Sequence, residues 1–156
     1  MIKTTFLLPK SFRFVGIFFF VLGLILGVAR FHYSFKPDLL DLKMFAFYSS
    51  YLETKYMEII RNNMSEEFTG FFLITGLFLF AFSREKYEKE QNNQLRLKAF
   101  FIAAYLNFLF LLVSLFFTYG FAFVYMLMAN MGIGLLAYII VFRTLLWQNR
   151  SKPSDN

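Results

Sequence analysis

The chain contains no cysteine and a single histidine, His32. Without thiols there can be no disulfide, no thiolate nucleophile, no Cys-ligated zinc and no iron–sulfur cluster. His32 lies between Phe31 and Tyr33 at the border of an apolar run, where a lone imidazole reads as an interfacial residue rather than a metal ligand. Proline is scarce, and Pro9, Pro37 and Pro153 all fall outside the apolar runs, as unkinked helices require. Charge is missing from Ala99 to Phe142, a stretch of about 44 residues. An ionisable group is expected nowhere at depth in a bilayer, which argues against a proton relay, a voltage sensor or an ion-coupled carrier. Gly-rich phosphate loops, HExxH, GxSxG and paired intramembrane carboxylates are likewise absent. No catalytic constellation and no cofactor are therefore expected.

What the chain has in abundance is apolar surface. Of 156 residues 58% are hydrophobic, and 25 are phenylalanine, against roughly 45–50% apolar in a soluble domain. Mean hydropathy is +0.54. A single small domain cannot hide so many large side chains from water, because so much of it is surface; a lipid bilayer is the partner that can take them. The formal net charge of +6 would raise nucleic acid as a partner in a soluble protein. Here the basic residues sit between and beside apolar runs, as membrane topology demands, so no direct nucleic-acid partner is expected.

The first apolar run, Phe14 to Ala29, is bracketed by Arg13 and Arg30 and reaches span length once Ser11, Phe12 and the snorkelling arginines are included. Lys3, Lys10 and Arg13 ahead of it also resemble a secretory signal, with Gly27 and Ala29 suited to a peptidase. Since the rest of the chain is membranous, a retained signal anchor is expected. The second run, Phe68 to Phe82, is shorter; Ser65 is its expected N-cap, with Glu66 and Glu67 in the positive first turn. The uncharged stretch is long enough for two crossings, broken at Thr118-Tyr119-Gly120, where a tight turn is easiest. The expected fold is thus an all-α integral membrane four-helix bundle in one domain over 1–156. Its spans run at about 11–30, 66–83, 99–117 and 121–142, with an outer loop 31–65 and a cytoplasmic loop 84–98.

Lys3, Lys10 and Arg13, then Arg84, Lys86, Lys89, Arg96 and Lys98, then Arg143, Arg150 and Lys152 share one side of that arrangement. On the other side Arg30, Lys36, Lys43, Lys55 and Arg61 are outweighed by Asp38, Asp41, Glu53, Glu58, Glu66 and Glu67. The positive-inside rule then puts both termini in the cytoplasm, with Trp147 an anchor at the cytoplasmic interface. Asn63-Met64-Ser65, on the outer side, matches the glycosylation sequon, a short and common pattern.

Both loops have character. In the outer loop Leu39, Leu42, Phe45, Leu52, Tyr56, Ile59 and Ile60 recur at roughly helical intervals among charged residues, which predicts one or two short amphipathic helices. Such helices would lie on the outer leaflet, cap their own bundle, or bind a partner, with Tyr48, Tyr51 and Tyr56 suiting any of these interfaces. In the cytoplasmic loop the i,i+4 pairs Glu85 with Lys89 and Lys86 with Glu90 predict that the second span continues as a solvated helix to a turn near Asn92-Asn93. A charge run of this kind commonly does no more than keep a helix in water. The sharper reading makes Arg84, Glu85, Lys86, Glu88, Lys89, Glu90, Arg96 and Lys98 a docking loop for a cytoplasmic protein.

Inside the spans the polar residues are few. Asn107 lies roughly 13 Å from the cytoplasmic start of the third span and Asn130 roughly 18 Å from the cytoplasmic end of the fourth, at a rise of about 1.5 Å per residue. Antiparallel neighbours would bring them to similar depth, where an amide–amide bond would hold the helices together; that structural role is preferred over a ligand site. Gly23-Leu24-Ile25-Leu26-Gly27 is a GxxxG that permits close helix contact, a frequent spacing in membrane helices. Ala122, Ala129, Gly132, Gly134 and Ala137 thin one side of the fourth span.

The run Phe82-Ser83-Arg84-Glu85-Lys86, the acids Glu88 and Glu90, and Leu95-Arg96-Leu97-Lys98-Ala99 opening a span resemble small four-span bacterial integral membrane proteins that are uncharacterised. Tyr48-Ser49-Ser50-Tyr51-Leu52-Glu53 and Ile60-Arg61-Asn62-Asn63 are similar to their outer loop. The resemblance implies a bacterial inner membrane and, since some such proteins are thought to be paired with helix-turn-helix regulators, a cytoplasmic regulator as partner. The expected function is non-enzymatic: protein–protein interaction in a regulatory or accessory role, with a cytoplasmic regulator or a membrane protein as partner. The alternative is a small subunit of a transporter or channel whose pore arises by homo-oligomerisation.

Overall fold

The computed structural model describes residues 7–50, 54–85 and 90–150. It is mostly helical, with α1 at Ser11–Phe31, α2 at Ser65–Ala81, α3 at Glu90–Phe117 and α4 at Phe121–Arg150. Between α1 and α2 a short 3₁₀ turn at Asp38–Leu40 leads into two strands, β1 at Asp41–Ser50 and β2 at Thr54–Asn63. The chain divides into two compact units, one comprising Phe19–Leu73 and the other the chain up to Phe18 together with the chain from Ile74 onward.

In the Phe19–Leu73 unit the expectation of an all-α chain with amphipathic outer helices is corrected. β1 and β2 form an antiparallel hairpin whose register pairs Lys43 with Arg61, Met44 with Ile60, Phe45 with Ile59 and Tyr48 with Tyr56. The apolar residues of this segment recur at helical intervals, but periodicity alone does not decide such a case. The composition does: Phe45, Phe47, Tyr48, Thr54, Tyr56, Ile59 and Ile60 are aromatic or β-branched, and Phe45 with Ile59 and Tyr48 with Tyr56 are partners in the ladder. The ladder skips one pair, Phe47 opposite Met57, where Met57 holds a φ of 50°.

The base of the hairpin is fixed by Asn63. Its Nδ2 donates to the Pro37 carbonyl at 3.1 Å and to Asp41 Oδ1 at 2.7 Å. Its Oδ1 accepts from the Ser65 amide at 3.3 Å and from the Ser65 hydroxyl, so the expected capping by Ser65 is replaced by capping of the helix start by Asn63. The nitrogen a glycan would take is the donor of the bonds to Pro37 and Asp41. In the first turn of α2, Glu66 accepts from Arg30 at 2.6 Å and Glu67 from Asn62 at 3.0 Å. α1 and α2 approach closely here: a Cβ added at Gly23 would stand 2.8 Å from the Leu73 backbone nitrogen, and one at Gly27 would stand 3.3 Å from Thr69.

In the other unit the α1–α2 approach is closer still, a Cβ on Gly16 meeting the Phe80 nitrogen at 2.7 Å and the Gly76 carbonyl at 2.8 Å. α3 and α4 pack through Ala99 and Ala103, one turn apart, whose small side chains admit Tyr138, Phe142 and Leu146 from α4. Ala99 is fully buried. Phe82, Tyr138 and Phe142 form a stack with centroids 5.6 and 6.0 Å apart and rings nearly parallel. The helices are separated at Thr118 to Gly120, where Gly120 takes a φ of 65° that a Cβ would resist.

The segment between α2 and α3 also departs from expectation. α2 stops at Ala81 rather than running on as a solvated helix, and Asn92 and Asn93 lie inside α3 rather than at a turn. Instead Leu8 pairs with Ser83 in a short parallel bridge, the Leu8 amide donating to the Phe82 carbonyl and the Arg84 amide to the Leu8 carbonyl, each at 3.0 Å. The Phe82 carbonyl freed at the end of α2 is thus satisfied by the chain preceding α1, and the partners of the expected i,i+4 pairs at 86–89 lie outside the described residues. Lys86, Glu88 and Lys89 lie outside the described residues.

Three helices, Ser11–Phe31, Asn92–Phe117 and Phe121–Asn149, are long and apolar enough to cross a membrane. Only 11%, 11% and 6% of their most apolar stretches is buried, a degree of exposure that water would not tolerate but lipid does. α2, with 17 residues, falls at the short end of span length, about 26 Å.

Candidate functional site

Two polar features stand out in the unit built on α3 and α4, and Tyr138 belongs to both. The first is a layer of arginines around Glu85. This carboxylate, 9% exposed, accepts from Arg13 Nη1 at 3.1 Å through one oxygen and pairs with Arg143 Nη2 at 3.0 Å through the other. Both guanidinium groups also lie over the Phe80 ring, at 5.2 and 5.3 Å, where the ring face stabilises a cation. One acid thus ties the start of α1 to the latter part of α4.

Arg96, 8% exposed, does a related job from α3. It donates to the carbonyls of Ala81 at 3.3 Å and Ser83 at 3.1 Å, at the negative end of the α2 dipole. It donates as well to the Tyr138 hydroxyl at 3.4 Å and lies 4.4 Å over the Phe142 ring. Of the expected docking loop, then, Glu85 and Arg96 are turned inward as structural ties. Arg84 and Lys98 are exposed, and Glu90 opens α3.

The second feature is a cavity of about 400 Å³ lined by residues of α3 and α4 and by Phe82. Asn107 and Asn130 both face it, in keeping with the similar depth the helical rise gives them. Each has its Oδ1 buried and without a hydrogen-bond partner, so the amides share a cavity with no bond between them. The Asn107 amide rests against Gly134, where a Cβ would meet its Cγ and Oδ1 at 3.2 Å. Phe82, Phe100 and Tyr138 supply aromatic walls, and no charged residue lines the space. Phe100 and Met131, 53% and 62% exposed, form part of the lining, so the cavity is not closed off by protein on that side.

Gly23 and Gly27 lie at the α1–α2 contact, joined by Gly16, which the GxxxG spacing does not include. His32 stacks edge-on with Tyr33 at 4.9 Å, and among the described residues no group of His, Asp and Glu could hold a metal ion. Arg13, Arg143 and Tyr138 were not singled out as site residues by the sequence. Their one signal is that both arginines flank apolar runs, which topology alone already explains.

By length, composition and exposure of its helices the chain falls in the class of multi-pass membrane proteins. Comparison with family models, with curated proteins and with solved structures finds no match.

Proposed function

We propose that the chain is a non-enzymatic integral membrane protein that acts through protein–protein interaction, as a regulatory or accessory subunit. In this reading α2 is a fourth span, both termini face the cytoplasm, and the membrane is the bacterial inner membrane, with the hairpin on its outer side. The excess of Lys and Arg on one side supports that orientation.

The observation that carries the reading is the hairpin face bearing Phe45, Phe47, Met57 and Ile59. The register sets these positions on one side of the ladder with the cation pair Lys43 and Arg61 at its edge. All four apolar residues are exposed, Phe47 at 75% and Ile59 at 67%. A two-stranded hairpin is marginal alone in water, and an apolar patch with a polar rim marks an interaction surface. A membrane-protein partner presenting an apolar surface edged by carboxylates meets both halves of the patch. Among the described residues of the docking loop Arg84 and Lys98 are exposed, and in this reading they face a cytoplasmic regulator.

The test is purification of the full chain from native membranes in mild detergent, with the mass of any complex read by native mass spectrometry. A stoichiometric complex lost in Phe45→Ser/Phe47→Ser, with the variant still monodisperse, supports the reading. A lone monomer from both chains sinks it, and a homo-oligomer that conducts ions in planar bilayers replaces it with the transporter or channel subunit.

A further inference from the structure

Glu85 gives one oxygen to each of two guanidinium groups, Arg13 at 3.1 Å and Arg143 at 3.0 Å. An arginine commonly meets a carboxylate with two parallel N–H groups, and each guanidinium has five to offer. Arg13 reaches Glu85 through Nη1 alone, its one side-chain hydrogen bond among the described residues. Its side chain is 29% exposed and that of Arg143 37%. Both guanidinium groups also lie over the Phe80 ring, so one buried acid and one ring hold two part-exposed cations together. A phosphate matches guanidinium geometry as a carboxylate does. Two arginines that one carboxylate bridges from the buried side can therefore be bridged by a phosphate from the exposed side.

The surroundings of the pair say where that phosphate comes from. Arg13 stands in the first turn of α1, and Arg143 follows directly on the uncharged stretch that ends at Phe142. Each therefore marks the end of a span. One turn further into the span on the same helix faces come Ile17, four residues after Arg13, and Ile140, three before Arg143. They are 44% and 62% exposed. Cationic heads at the interface with bare aliphatic surface beneath them meet a phospholipid twice, at its headgroup and along its chains. A soluble phosphate has no use for the isoleucines. We propose that Arg13 and Arg143 bind the phosphate of an anionic phospholipid, with Glu85 holding the two guanidinium groups in place and the acyl chains lying over Ile17 and Ile140. The inference stands whether or not the hairpin binds a partner.

The chain has a single tryptophan, Trp147, one turn from Arg143, and its fluorescence reads the neighbouring lipid. The full chain is reconstituted into phosphatidylcholine vesicles with a minor share of phosphatidylglycerol, and bromine, which quenches indole, is carried on the acyl chains of one lipid or the other. Phosphatidylglycerol should be about fivefold enriched beside Trp147 over its share of the bilayer, the worth of one basic charge near an anionic headgroup. Arg13→Gln and Arg143→Gln should each bring it to parity, with quenching by brominated phosphatidylcholine showing that the tryptophan still meets the bilayer. Lys98→Gln, which removes an exposed charge outside the site, should leave the enrichment unchanged. Trp147→Phe/Phe31→Trp keeps both arginines and moves the indole to the far end of α1, roughly 27 Å along the helix from Arg13. Parity is expected there, and this exchange at an exposed aromatic position decides the matter should an arginine variant fail to fold. Parity at Trp147 in the native chain overturns the proposal. Enrichment at both ends, or enrichment that survives both arginine variants or is lost in Lys98→Gln, overturns it in favour of diffuse surface charge. Relief by inorganic phosphate, but not by sodium chloride at equal ionic strength, overturns the lipid in favour of a soluble phosphate, and persistence of the enrichment supports the lipid.

Discussion

Replacing Glu85 with glutamine removes a charge while keeping shape. In the native protein the carboxylate faces Arg13 at 3.1 Å and Arg143 at 3.0 Å. A hydrogen bond to a charged group contributes a net of about 1.5–3 kcal/mol, so two would suggest about 3–6 kcal/mol. The arginine side chains are 29% and 37% exposed, and solvent screening brings the expectation to about 2–3 kcal/mol. Glutamine can still accept one bond, but the two guanidinium groups then share a neutral acceptor in place of a carboxylate. At about 2–4 °C per kcal/mol for a chain of this length, the fall in Tm should be roughly 5–10 °C. Circular dichroism at 222 nm on the purified full chain in mild detergent reads it. Arg143→Met in the Glu85→Gln background should cost less than in the native chain, since the interaction it breaks is already gone. A Tm for Glu85→Gln within about 2 °C of native would refute the ion layer as a structural tie.

Other outcomes follow from the same geometry. Gly23→Ile drives a Cβ to within 2.8 Å of the Leu73 nitrogen, and the overpacking should lower stability by about 1–3 kcal/mol in the same assay. Asn130→Leu removes an orphaned acceptor at similar volume, so in lipid-free detergent it should raise stability by about 1 kcal/mol; a loss would show that the amide has a partner. Asn63→Ala deletes both donors to Pro37 and Asp41 and the acceptor for Ser65. It should cost about 1–2 kcal/mol and loosen the hairpin base, read as faster hydrogen exchange at Met64 and Ser65 amides.

The helices were legible because the signal for a span is local: an apolar run with arginine or glycine at its ends suffices to mark α1 and the pair α3 and α4. The shared depth of Asn107 and Asn130 was legible for the same reason, as arithmetic along a rigid rod. Whether the two amides would touch was not, because that depends on how side chains pack between helices, and the Asn107 amide rests against Gly134. The hairpin was not legible because Leu42, Phe45, Ile59 and Ile60 recur at helical intervals, and only the cross-strand pairing overrides that spacing. The Glu85 layer was hidden more deeply. Arg13 and Glu85 are 72 positions apart, and in a loop rich in both signs no pattern marks Glu85 as the acid that turns inward.

The order in which that layer is made bears on how the protein is assembled. A ribosome delivers Arg13 first, Glu85 midway and Arg143 near the end. Until α4 emerges, Glu85 lacks Arg143, and the Tyr138 hydroxyl that Arg96 reaches does not yet exist. The earlier helices therefore form before these ties are complete, with the close glycine contacts of α1 and α2 already available. Completion of α4 closes the layer, a clasp fastened last, so truncation within α4 would release not only that helix but the anchorage of the segment that was synthesised first.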